Sequence, residues 1–141
     1  MSRSMFSNPS MRRALAWACA SAALAAGTAG AATPAEVLAG YASKAAAPAS
    51  AERGQKLFVS QNNRDFPSCT SCHGTNPLNG GKDQVSEKAI GPLAPAANPK
   101  RFTDPQRVEA SFSLNCKEVL GRACTVQEKA DVMTWLLSLK P

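Results

Sequence analysis

The chain has 141 residues, with 16 Lys and Arg against 10 Asp and Glu, a net charge of +6. That length holds one domain with a tail and excludes a barrel enzyme or a two-domain nucleotide-binding enzyme. Charged residues are 18%, which argues against a disordered polyelectrolyte, and one His and five Cys leave few side chains for metal chemistry.

Residues 1–13 carry Arg3, Arg12 and Arg13 and no acid, and residues 14–26 are apolar apart from Ser21. Ala29-Gly30-Ala31 then offers a small-x-small cleavage site. This order predicts a secretory signal peptide over 1–31 and a periplasmic mature chain. A stretch of thirteen residues is too short for a membrane span, which needs about 20. Trp17, just before Cys19, also spoils a lipoprotein signal there. Without the leader, thirteen basic residues face ten acidic ones, so the charge falls to +3. No basic stripe remains, which excludes nucleic acid as a partner. The aromatics shrink to Tyr41, Phe58, Phe66, Phe102, Phe112 and Trp135, a thin core that calls for a staple or a cofactor.

Thr33-Pro34-Ala35-Glu36 is a capping box with Pro at the first helical position. It predicts a helix over 34–46, stopped by Pro48, within an N-terminal extension of 32–49. The main domain of 50–141 opens on a helix from Ser50 to Gln61, with Gly54, Leu57 and Phe58 on one face. Residues 74–100 are dense in Gly, Pro and Asn and show no alternating strand pattern. So long a loop needs a surface to pack on. Asp104-Pro105 opens a short helix ending near Leu114, with Val108 and Phe112 inward. Thr125-Val126-Gln127-Glu128 is a second capping box. Its helix runs to Leu139, with Val132, Trp135, Leu136 and Leu139 on one face. The pattern is all-α.

Between the second and third long helices lies Cys69-Thr70-Ser71-Cys72-His73, a C-x-x-C-H motif. Its first reading is a haem c site: two thiols spaced to add across the haem vinyls, and His73 as proximal iron ligand. A zinc site built from Cys69, Cys72, Cys116 and Cys124 fits less well, because seven residues rather than two to four lie between the second pair. A thioredoxin-like dithiol needs a βαβ pattern that the chain lacks. With Cys69 and Cys72 on haem, Cys116 and Cys124 remain. In an exported protein they are expected to form a disulfide, the alternative being two buried thiols.

The helix with Gly54 and Phe58, the C-T-S-C-H motif, Gly91-Pro92-Leu93 and the terminal helix with Trp135 together resemble the class I cytochrome c fold. The resemblance implies helices wrapped around one covalent haem c and its iron, with the 34–46 helix as an extra. It implies that Gly54 and Phe58 cross Trp135, and that the Pro92 carbonyl accepts the His73 Nδ1–H. Such a bond fixes the tautomer that leaves Nε2 free for iron. The chain departs from that fold at the sixth ligand, because no Met lies between His73 and Met133 and no second His exists. Met133, inside the terminal helix, is expected to pack on its neighbours. Asn115, Lys117, Asn98, Lys100 and water remain as candidates.

From Lys88 to Leu139 the chain is similar to the sphaeroides haem protein (SHP) family. That similarity implies Asn115 as axial ligand beside a Cys116–Cys124 bridge. It also implies electron transfer with a di-haem cytochrome c or a membrane cytochrome b, and binding of oxygen, nitric oxide or carbon monoxide on reduction. The alternatives are a haem enzyme of the nitric oxide dioxygenase kind, an ordinary six-coordinate electron carrier, and a zinc-held structural module.

Overall fold

A computed structural model describes residues 31–62 and 68–141, and the signal-peptide reading and Phe66 lie outside them. Helix α1 spans Pro34–Ala42. The capping box forms as the sequence requires: Thr33 Oγ1 accepts from the Glu36 N–H, and Glu36 Oε2 accepts from the Thr33 N–H. The helix stops at Ala42 rather than Ala46. Beyond it the bonds tighten to i→i−3, from Lys44 N to Tyr41 O and from Ala45 N to Ala42 O. The linker that follows is pinned to the last helix, where Gln127 Oε1 accepts from the Ala47 N–H and Asp131 Oδ1 from the Ser50 N–H.

Helix α2 spans Ala51–Val59 and is capped by Ser50. The motif itself forms a single turn, α3, over Thr70–His73. The 74–100 segment is not wholly loop. Two short antiparallel strands, β1 (Gly81–Lys82) and β2 (Ala89–Ile90), pair with Gly81 opposite Ile90. Two residues per strand are too few to show a period of two, so no alternation could announce them.

Helix α4 spans Pro105–Leu120, six residues beyond the expected end at Leu114. Asp104 Oδ1 caps its start. No Gly or Pro interrupts it until Gly121, whose left-handed backbone (φ 67°) ends it. Asn115 and Cys116 therefore lie within a helix rather than after one. Helix α5 spans Val126–Ser138 behind its capping box at Thr125.

The core forms where α2 and α1 pack on α5. Gly54 lets α2 approach so closely that a Cβ there would stand 2.0 Å from the Asp131 carbonyl oxygen. Asp131, 3% exposed, ties the same crossing through Arg53 Nε at 2.8 Å. Phe58, Val132, Trp135 and Leu136 form one buried cluster, and Val37, Val108 and Met133 form a second. The Phe58 and Trp135 ring centroids are 4.9 Å apart. The architecture is all-α apart from the small hairpin.

Candidate functional site

The C-x-x-C-H turn is built by local bonds. Cys69 O accepts the His73 N–H and Thr70 O the Gly74 N–H, while Ser68 and Thr70 hydroxyls bond each other. The β-hairpin braces the turn from outside. A Cβ at Gly81 would meet the Cys72 carbonyl oxygen at 1.9 Å, so only glycine fits there. Gln84 Nε2 also donates to Ser71 O at 2.7 Å.

The turn forms one wall of a cavity of about 490 Å³, within the range of small-molecule and cofactor sites. Cys69, Cys72 and His73 line it, and Phe58, Leu136 and Val132 give it an apolar floor. Helix α4 forms another wall with Phe112, Asn115 and Cys116. Burial raises the Cys69 thiol to about 11. Burial, and then the positive charge of Arg101, hold the His73 imidazole below its ordinary value, so it is neutral and able to donate an electron pair to a metal.

Sequence-singled residues divide at this cavity. Asn115, Asn98 and Lys100 line it, whereas Lys117 and Met133 do not. Met133 is fully buried against Val37 and Val108 instead. The Asn98 amide is already engaged, donating from Nδ2 to the Pro92 carbonyl at 3.2 Å. That carbonyl also accepts Arg101 Nε at 2.9 Å. The Pro92 carbonyl, the expected acceptor for His73 Nδ1–H, thus receives two other donors in this structure. Arg101 adds a bond from Nη2 to Gly91 O and lines the cavity. Sequence reasoning missed it, because an Arg after a Pro-rich loop carries no local signal. Phe102 adopts a left-handed φ of 60° with its ring packed on both core clusters and facing the cavity.

Cys116 and Cys124 are joined by a disulfide across a separation of eight residues, with Cα atoms 5.5 Å apart. It staples the last turns of α4 to the entry of α5, and both half-cystines face the cavity. The bridge withdraws two of the four thiolates a zinc site would need. Closing so short a loop should contribute about 2–3 kcal/mol. Alkylation of native oxidised protein under mass spectrometry should therefore label neither Cys116 nor Cys124, and two labelled thiols there would show the bridge absent in solution.

The donor set fits a covalently held haem. Two thiols lie one helical turn apart, a neutral imidazole follows directly, and the walls are apolar and aromatic. Among the described residues no cluster of three or more His, Cys, Asp or Glu side chains is placed to hold a bare metal ion.

Comparison with known proteins identifies the family. Residues 44–136 match the family model described as Domain of unknown function (DUF1924). The chain is 50% identical over 111 residues to the cytochrome c-type protein SHP of Cereibacter sphaeroides, covering 77% of this chain and 85% of that protein. It is 49% identical over 70 residues to cytochrome c'' of Methylophilus methylotrophus, about half of each chain. Its fold matches the structure of oxidised SHP, an oxygen-binding cytochrome c, with a TM-score of 0.73 and 48% identity over 78% of this chain and all of that one. Oxidised cytochrome c'' matches with a TM-score of 0.67 and 32% identity over 77% of this chain and 95% of that one. With the motif, the helix crossing and these likenesses together, the chain belongs to the DUF1924 family and to the class I c-type cytochromes of the SHP kind.

Proposed function

We propose that this chain is an exported, periplasmic mono-haem cytochrome that carries one electron and whose sixth iron position opens on reduction to a diatomic ligand. One observation carries the reading. The Cys69–Cys72–His73 turn and Asn115 of α4 line the same cavity, while Met133, the only methionine after the motif, is buried elsewhere. The description of the related SHP as an oxygen-binding cytochrome c supports it.

When bound, haem c supplies a one-electron centre and an iron able to take oxygen, nitric oxide or carbon monoxide. The protein's own residues do the rest. Cys69 and Cys72 Sγ hold the ring covalently. His73 presents Nε2. Asn115 presents its amide oxygen from α4, and the bridge beside it limits the helix's drift. Phe58, Phe112 and Leu136 keep water from the interior wall, since apolar side chains offer it no hydrogen bonds. A di-haem cytochrome c or a membrane cytochrome b is the proposed electron partner.

Acid–acetone extraction should leave one haem with the wild-type chain. Cys69→Ala or Cys72→Ala should weaken the attachment, and His73→Ala should leave haem attached with a disturbed iron spectrum. Full extraction of haem from the wild type would overturn the covalent assignment.

A further inference from the structure

The structure assigns a positioning role to Glu109: with Tyr41 and Lys129 it tethers the helix that carries Asn115 and so sets how firmly that amide is held in the cavity. The inference rests on the axial reading of Asn115 given above.

Helix α4 is the longest among the described residues, at 16 residues, yet the close helix packing runs between α2 and α5 and between α1 and α5. One face of α4 fronts the cavity instead. Its position therefore depends on where it is attached to the rest of the fold. The disulfide at Cys116 is one, but a helix pinned at one point still rolls and tilts. Val108 packs on Val37 and Met133, a non-directional contact that tolerates roll.

Glu109 supplies a directional attachment. Its Oε1 accepts Lys129 Nζ at 2.6 Å and its Oε2 accepts the Tyr41 hydroxyl at 2.9 Å. One carboxylate thus joins α1, α4 and α5. Lys129 is only 8% exposed, and its ammonium stands 5.7 Å from the centroid of the Tyr41 ring. A buried ammonium needs a counter-charge, so removing the carboxylate is costly. Tyr41 also meets Phe112 edge-on, with centroids 5.9 Å apart, and Phe112 lines the cavity. The Lys129 bond, then the Tyr41 bond, hold the Glu109 carboxyl below the ordinary carboxylate range, so the tether is charged at neutral pH.

Asn115 follows Glu109 by six residues, roughly 9 Å along the axis, and directly precedes Cys116. The two anchors therefore bracket it. Each residue turns the helix by about 100°, so roll sets where the Asn115 side chain points. A site of this kind must be held within about 0.5 Å. Releasing the Glu109 anchor should let α4 roll and withdraw the amide.

The test uses ferric holoprotein at pH 7 and reads the optical and paramagnetic resonance spectra. Glu109→Ala should raise the ferric population lacking Asn115 about fivefold to tenfold, the lower end of couplings between linked sites. Tyr41→Phe should shift it the same way by less. Arg53→Ala breaks an α2–α5 ion pair away from α4 and should lower stability without moving the ferric spectrum. That contrast separates positioning from general loosening. Should Glu109→Ala fail to assemble, Glu109→Gln and Tyr41→Phe carry the same test. Wild-type spectra in the Glu109 and Tyr41 variants, with an altered Asn115→Ala spectrum, overturn the tether. An unaltered Asn115→Ala spectrum overturns the axial reading itself.

Discussion

Asn115→Ala should leave one covalent haem per chain and change the iron in only one oxidation state. An amide oxygen is a hard, neutral donor, and ligand softness follows the metal's. It should hold ferric iron and release the softer ferrous iron. Wild-type ferric protein should then be six-coordinate, and wild-type ferrous protein five-coordinate through His73, high-spin and quick to bind carbon monoxide. In the variant, the ferric spectrum should become that of a water-bound or vacant sixth position. Ferric cyanide binding should strengthen about tenfold or more, because no internal ligand competes. Ferrous carbon monoxide affinity should stay within about twofold, because the binding-competent fraction is already near one. A methionine ligand predicts the reverse preference, but Met133 is buried between Val37 and Val108. A lysine ligand would give a strongly pH-dependent ferric spectrum. A low-spin ferrous spectrum indifferent to carbon monoxide would return the protein to ordinary electron transfer.

Gly54→Ala should be severely destabilising for a change that adds a single methyl. The added Cβ would stand 2.0 Å from Asp131 O, 2.4 Å from Asp131 C and 2.7 Å from Val132 N. These are backbone atoms of α5, so no side-chain rotation relieves the clash. The α2–α5 crossing must open by more than an ångström, which separates Phe58 from Trp135 and loosens the floor of the cavity. Overpacking a rigid core costs about 1–3 kcal/mol and occasionally more. Here the upper end, about 3 kcal/mol or beyond, is expected. Urea denaturation of the holoprotein measures it, and a midpoint equal to that of wild type would refute the crossing. Gly40→Ala is the matched control. Its Cβ meets nothing within 4 Å in the interior of α1. That change should stabilise by about 0.5–1 kcal/mol through helix propensity alone.

Local chemistry written in adjacent residues was legible in the sequence. Thr33 with Glu36, and Thr125 with Glu128, announce two helix starts, because a cap bonds residues three apart. Cys69, Cys72 and His73 announce a haem site for the same reason: the spacing that the cofactor demands is contained in one turn. The crossing of Gly54 and Phe58 with Trp135, implied by the resemblance to class I cytochromes c, is present in the structure. The end of α4 is not legible locally: the expected end at Leu114 falls six residues short of Leu120. Leu120 and Gly121 settle the point only through the left-handed backbone at Gly121.

What the sequence by itself determined was thus the C-x-x-C-H motif suited to a covalent haem, the helical class and most helix starts, all consequences of bonds within one or two turns. Only the tertiary structure decided which neighbours Met133 packs on and that Asn115 fronts the cavity from within a helix, since a helix's roll is fixed by what packs on it. It alone brought Arg101 to the Pro92 carbonyl and Tyr41 to Glu109, pairs separated by 9 and 68 residues. Their meeting depends on how the chain folds back on itself, and no local propensity encodes it.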